Sequence, residues 1–260
     1  MNGRHVAMVC AMTGTAPAGD AFLQTLRAQL QPSTIYTLQA AIGLRNGNFS
    51  GGYRLEILTN GGPFGAGVTG DVASLNALAG GTATNKFTVV SCVITSAVAV
   101  ASDQQLAIRI ANPTGGGTYL DFDDVRISSQ LTPYGQWQMT NWNSLLASNS
   151  LPEADPDGDG LPNLIEFHLA GANPNSQTTM PTPTLVQLSS EDYWQMQLGK
   201  NPVANTGTIE IQMSYDLNNW FVPTSSGNGD IMVVNDGAEF TVQLRRSATL
   251  QAFFRIAAKL

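Results

Sequence analysis

Gln105-Leu106-Ala107-Ile108-Arg109-Ile110-Ala111 alternates along its length, and Leu106, Ile108 and Ile110 fall on one side of an extended chain. That period of two marks a half-buried β-strand. Similar stretches lie on either side of it: Ile35–Ile42, Tyr53–Thr59, Lys86–Thr95 and Tyr119–Ile127. Turn-forming clusters separate them, at Asn46-Gly47-Asn48, Asn60-Gly61-Gly62-Pro63 and Thr114-Gly115-Gly116-Gly117. His5–Met12 reads as a further strand, with a weak signal peptide ending at Ala16-Pro17-Ala18 as the alternative. Asp71–Ala79, rich in alanine, is a short helix or a loop. Short strands punctuated by turns predict a β-sandwich or jelly roll over residues 1–130.

The character of the chain then changes. Tyr134, Trp137, Trp142, Leu145 and Leu146 fall near helical spacing, which predicts a short amphipathic helix whose aromatic stripe packs in a core. Beyond it stands Asp155-Pro-Asp-Gly-Asp-Gly-Leu-Pro-Asn-Leu-Ile-Glu166, which matches the calcium-loop pattern D-x-D-x-D-G-x5-E. Calcium takes six to eight oxygen ligands. Asp155, Asp157 and Asp159 supply carboxylates at loop positions 1, 3 and 5, Leu161 a backbone carbonyl, Asn163 the ninth position, and Glu166 a closing bidentate carboxylate. Gly160 permits the sharp turn at position 6. Pro152 argues against a long entering helix, and Pro162 removes the N–H through which paired loops would bridge. The pattern is therefore a lone loop with one short exit helix. On that helix Leu161, Leu164, Ile165 and Leu169 dock on a neighbour, His168 is exposed, and Gly171 and Pro174 end it.

Ser176–Thr184 reads as a Pro/Thr-rich linker. After it, Tyr193–Leu198, Thr208–Tyr215, Ile231–Val234, Glu239–Leu244 and Phe253–Ala257 are strand candidates, with turns at Asp216–Asn219 and Gly227–Gly229. The expected fold is thus mainly β: an N-terminal jelly-roll sandwich (1–130), a short helical calcium-loop connector (131–175) and a smaller C-terminal β-sandwich (185–260).

Charged residues make up only 12% of the 260 residues and the net charge is −7. That balance argues against nucleic acid, which demands a basic patch. No apolar run approaches the length of a transmembrane helix. The uncharged polar composition suits an extracellular or cell-surface β protein. Cys10 and Cys92 permit either a disulfide or two buried thiols.

Three groups of phrases carry family resemblances. The run Asp155–Pro174, with Trp137 before it, resembles the dockerin-like or thrombospondin type 3-like calcium motif of exported bacterial proteins. Ser214-Tyr-Asp-Leu-Asn-Asn-Trp220 and Phe253-Phe-Arg-Ile256 resemble the small terminal β-domain of secreted planctomycete–verrucomicrobia proteins. Tyr36–Gly43 and Phe122-Asp-Asp-Val-Arg-Ile127 are similar to galactose-binding-like jelly rolls. Those modules carry further residues ahead of Asn2, so the resemblance implies an N-terminally truncated module. It implies no catalytic residue.

Catalytic signals are sparse. His5 and His168 lie in no nucleophile motif, and no zinc cluster or phosphate-binding glycine loop stands in the sequence. Asp121, Asp123 and Asp124 form the tight acidic cluster outside the loop, read as a polar strand end or a second structural calcium site. Asn48-Phe-Ser50 fits a glycosylation sequon. The resulting expectation is a non-enzyme: a calcium-binding exported protein that binds polysaccharide or a cell-surface glycan. A structural spacer, or the accessory tail of a secreted hydrolase, is the alternative. With no Trp before residue 131, a sugar platform there would use Tyr36, Phe49, Tyr53, Phe64 or Tyr119.

Overall fold

The computed structural model describes residues 7–10, 21–43, 52–84, 86–101, 103–113, 119–204, 208–223, 231–246 and 252–259. The turn clusters at 46–48, 114–117 and 227–229, the sequon, Phe49 and the Ala16–Ala18 stretch lie outside the described residues. Contacts divide the chain into two units, Met1–Leu131 and Thr132–Leu260, so the connector groups with the C-terminal strands.

The first unit contains β1 (Ala7–Cys10), β2 (Ala21–Gln29), β3 (Thr34–Gly43), β4 (Tyr53–Thr59), β5 (Gly62–Pro63), β6 (Val68–Gly70), α1 (Val72–Leu78), β7 (Phe87–Thr95), β8 (Gln105–Ala111) and β9 (Tyr119–Leu131). One antiparallel sheet runs β1-β9-β3-β7; the other runs β2-β8-β4-β5, with β6 also on β4. Between them Leu38, Ile42, Val90 and Leu120 from the first sheet meet Leu55, Ile57, Leu106, Ile108 and Ile110 from the second. The alternation seen in the sequence places these side chains inward, and their burial drives the two sheets together.

β2 is a strand the sequence did not announce. Its core contacts, Phe22 and Leu26, are four residues apart, and its pairing with β8 shifts between Thr25 and Gln29. Such an irregularity breaks the period of two that a strand reading depends on. The Asp71 segment is a helix, because the Asp71 carboxylate accepts the N–H of Ser74 and caps the first turn. Cys92 is a buried free thiol among the core side chains.

The second unit contains α2 (Pro133–Trp142), a single 3-10 turn (Ser148–Ser150), α3 (Asn163–His168), β10 (Thr184–Leu188), β11 (Glu191–Gly199), β12 (Thr208–Ser214), β13 (Ile231–Asn235), β14 (Glu239–Arg245) and β15 (Phe253–Lys259). Its strands form the sheet β10-β11-β14-β13 and the pair β12-β15, with Leu198, Ile211, Phe240 and Val242 between them. Thr132 caps α2 at one end and Asn143, at φ 51°, turns the chain out at the other. The aromatic stripe packs inward as expected: Tyr134, Trp137, Trp142 and Phe167 contact one another at centroid distances of 5.1–5.7 Å, edge to ring except for the tilted Tyr134–Trp137 pair. Leu146 does not join it. It lies past the Asn143 turn and is 71% exposed.

Two phrases that carried the resemblance share one site. Asp216 accepts hydrogen bonds from the backbone N–H groups of Asn219 and Asn218, the Asn219 amide and the Ser214 hydroxyl. The Asn219 backbone and side-chain bonds, foremost, hold its carboxyl well below the usual range. The turn delivers Trp220 beneath Arg255, whose guanidinium carbon sits 4.3 Å from the ring centroid.

Candidate functional site

The acidic loop folds as a sequence of side-chain-capped turns. Asp155 accepts from the N–H of Gly158 at 3.0 Å and of Gly160 at 2.9 Å, Asp157 from Asp159, and Asp159 from Leu161. Gly158 and Gly160 sit at φ 73° and 91°, where a Cβ would be strained. These turns bring carboxylate oxygens of Asp155, Asp157 and Asp159 to within 4.8 Å of one another. Glu166, one turn into α3, is only 1% exposed. Burial, followed by the charges of Asp157, Asp159 and Asp155, pushes its carboxyl up to about 7.

The arrangement fits a hard cation. Asp157 Oδ2 and Glu166 Oε2 are both buried and have no hydrogen-bond partner. Buried carboxylate oxygens left unpaired beside like charges are costly, and a divalent ion satisfies them. Two of the anticipated ligands also have structural roles. Leu161 donates its N–H to Asp159. The Asn163 amide donates to the carbonyls of Asn149 and Leu151 at 2.8 Å each, tying the loop to the 3-10 turn, while its buried Oδ1 is unpartnered.

One participant was hidden from sequence reasoning. Thr178, within the expected linker, donates its N–H to Asp159 Oδ2 at 2.7 Å and its hydroxyl to Glu166 Oε1 at 3.0 Å. It closes the loop from the far side. Met180 follows, beside a cavity of about 290 Å³ whose walls include Leu161, Ile165, Met196 and Ile211. Leu161 and Ile165 thus dock as their spacing predicted. His168 corrects the expectation of exposure. It is 2% exposed, with Nδ1 against the Leu164 carbonyl at 2.8 Å and its ring edge-on to Phe167. The four-residue spacing that places it over Leu164 also turns it inward.

In the first unit, the expected aromatic platform is corrected. Tyr36 and Tyr53 are buried in the core, and Phe64 packs against it. Phe49 and the Tyr119 side chain lie outside what is described; among the described residues of this unit the exposed ring is Phe87, 47% accessible, on the outer face of edge strand β7. It lies over Gly43, where an added Cβ would meet its ring at 2.9 Å and the Asp121 Cβ at 3.1 Å. Pairing places Asp121 and Asp123 opposite Gly43 and Ala41, and Phe87 and Val89 opposite the same two residues from the other side. A glycine floor, an aromatic ring and two carboxylates therefore share one face. Asp124 stands apart at a bulge, at φ 48°, paired with Arg126.

On the other sheet, Glu56 of β4 is 1% exposed between Arg109 and Arg54. Burial opposes its ionisation, but the Arg109 hydrogen bond and charge, with Arg54, outweigh that and hold its carboxyl below the usual range.

A family model described as HpiC1-like, HpiC1 cyclase, matches residues 1–128. No curated protein matches the chain. Among solved structures, a cyclase from Fischerella sp. TAU in complex with 4-(1H-indol-3-yl)butan-2-one shares 27% identity, over 50% of this chain and 66% of that one, at a TM-score of 0.40. The EclA C-terminal domain, a sugar-binding protein, shares 13% identity over 48% and 77%, at 0.32. A CBM4 structure shares 17% over 50% and 87%, at 0.36. The chain spans 65–66% of the length of the cyclases it matches. The family match overturns the expectation of a non-enzyme: residues 1–128 are similar to an HpiC1-like cyclase family. Sequence reasoning missed this similarity because it sought nucleophile motifs, zinc clusters and paired carboxylates. No helix among the described residues is long and apolar enough to cross a membrane.

Proposed function

We propose that the N-terminal sandwich is a cyclase-type module that binds a small organic substrate on the outer face of the β1-β9-β3-β7 sheet. The match of residues 1–128 carries this reading. Phe87 and Val89 offer an apolar surface for a ring system, and Asp121, largely buried beside Phe87, is the group placed to donate or accept a proton. Asp123 lies on the same face. The test is turnover and binding with 4-(1H-indol-3-yl)butan-2-one and related indoles as probes. Asp121→Asn should abolish conversion and leave binding within about threefold, while Phe87→Ala should weaken binding about tenfold, in line with an aromatic contact of roughly 1–1.5 kcal/mol. Absence of binding and conversion across such a panel, with folding verified, would sink the reading.

A second reading keeps the same face and changes the ligand to a polysaccharide or cell-surface glycan. The Gln39 amide donates to the Ser91 hydroxyl at 3.1 Å next to Phe87 and Val89, a polar and aromatic mix suited to sugar stacking. A glycan screen in calcium and in EDTA separates the two: saturable sugar binding lost in Phe87→Ala would favour it.

In the second unit the acidic loop serves as a calcium site, held by Asp155, Asp157, Asp159 and Glu166, with the Leu161 carbonyl and Asn163 completing the shell. Lone extracellular loops bind at about 0.1–1 mM. That range suits an exported protein, and the placement outside the cell rests on it. Asp157→Ala with Glu166→Ala should abolish calcium-dependent protection of residues 150–175 from protease.

A further inference from the structure

The outer face of the other sheet carries a charged cluster that the cyclase reading leaves unused. Core packing takes Tyr53, Leu55 and Ile57 from β4 and Leu106, Ile108 and Ile110 from β8. Arg54, Glu56 and Arg109 therefore project from the opposite face. Glu56 pairs across the ladder with Arg109, and Arg54 with Ala111. One Glu56 oxygen takes the Nε and Nη2 of Arg109; the other takes Nη2 of Arg54 at 2.7 Å. Gly67 lies against the Glu56 side chain, where an added Cβ would meet its Cγ at 2.6 Å, so the carboxylate is covered while the arginine side chains remain 43% and 36% exposed.

A buried carboxylate gripping two guanidinium groups is a poor stabilising device, since apolar side chains of equal volume serve as well or better. It is a good way to fix two arginines. Glu56 leaves Nη1 of each guanidinium unengaged, and Arg54 Nε is buried without a hydrogen-bond partner. The cluster sums to one positive charge on a chain of net charge −7. Beside the arginines, Leu23 pairs opposite Arg109 from β2 with its side chain exposed, while Ala107 and Ala111, which flank Arg109 along β8, are buried.

We propose that this Arg54–Glu56–Arg109 cluster is a binding site for an organic carboxylate. The guanidinium donors receive its oxygens, and its body lies against the exposed side chain of Leu23. Planar guanidinium forks match the geometry of carboxylates, and Glu56 holds them in place before the ligand arrives. The site is separate from the Phe87 face and stands whether or not that face is catalytic.

The experiment is calorimetric titration of the full chain with glucuronate, with glucose as the uncharged control and inorganic sulfate as competitor. Glucuronate should bind saturably at least tenfold more tightly than glucose, weaken as salt rises, and be displaced by sulfate. Arg54→Gln, on the more exposed arginine, should lower affinity at least fivefold, measured at a temperature where circular dichroism shows the variant folded. Arg109→Lys tests the fork: it keeps the charge and should also weaken binding. Equal binding of glucose and glucuronate, no binding of either, or an affinity unchanged in both variants would overturn the proposal.

Discussion

Glu166→Gln is the perturbation that separates a metal loop from an acidic turn, because the stability it adds without an ion shrinks once calcium is present. Without an ion, Glu166 is buried beside three carboxylates and its carboxyl rises from the usual 4.5 to about 7. At about 1.4 kcal/mol for each pH unit, keeping it ionised above pH 7 costs about 3 kcal/mol. The folded value lies above the unfolded one, so its contribution to metal-free stability is fully present below about 4.5 and is lost as pH rises through 7. Glutamine keeps an oxygen for the Thr178 hydroxyl and removes the charge. In EGTA at pH 8 the variant should therefore be more stable than the parent by about 3 kcal/mol, and at pH 4 the two should coincide. In 10 mM calcium the parent should gain about 1.4–2.7 kcal/mol for a dissociation constant of 1–0.1 mM, and the variant far less. Urea melts followed by hydrogen exchange in residues 155–178 read the loop directly. A variant that is less stable in EGTA at pH 8, or that responds to calcium as the parent does, would refute the reasoning.

Three further outcomes follow from the geometry. Thr178→Val leaves Glu166 Oε1 without its donor while keeping the backbone bond to Asp159; it should cost about 1–2 kcal/mol and speed proteolysis within 176–183. Glu56 has a depressed folded value, so its stabilisation holds above about pH 4.5 and is lost as pH falls through that folded value. Glu56→Gln should destabilise the first unit by about 3 kcal/mol at pH 7 and flatten its acid denaturation profile, checked by circular dichroism from pH 7 to 2. Leu38→Ala, at a fully buried position between the sheets, should cost about 3 kcal/mol in chemical denaturation, against almost nothing for Val93→Ala on the exposed face.

The strands legible in the sequence were those whose inward side chains alternate without interruption. β4 and β8 begin and end where alternation begins and ends, and β3 and β7 differ by a residue at the ends. β2 was invisible because its bulge breaks the period. β10 was not among the strand candidates, which began at Tyr193; only Thr184 of it fell in the expected linker, and its pairing partner β11 supplies what the local sequence lacks. The acidic loop was legible for the opposite reason: its carboxylates are packed into one contiguous run, so spacing alone brings Asp155, Asp157 and Asp159 together. Thr178 lies outside that run, and its role comes from the chain doubling back across the loop.

The same distinction explains why the outward-facing groups of the first unit were missed while the sandwich was not. Phe87, Gly43 and Asp121 are remote in sequence and become neighbours only because β7, β3 and β9 lie side by side in that order. No single strand shows a motif; Gly43 reads as a strand end, and Phe87 as one more apolar residue. Glu56 and Arg109 likewise look like interruptions of two apolar runs until the β4–β8 register places them opposite each other. Alternation fixes which residues face inward, and core packing consumes them. The outward residues are the ones left free for chemistry, and their grouping is set by register between strands, which the sequence of any one strand does not contain. The two outer faces of the first unit, one with an aromatic ring and carboxylates and one with paired arginines, are therefore where this chain's specificity has to be sought.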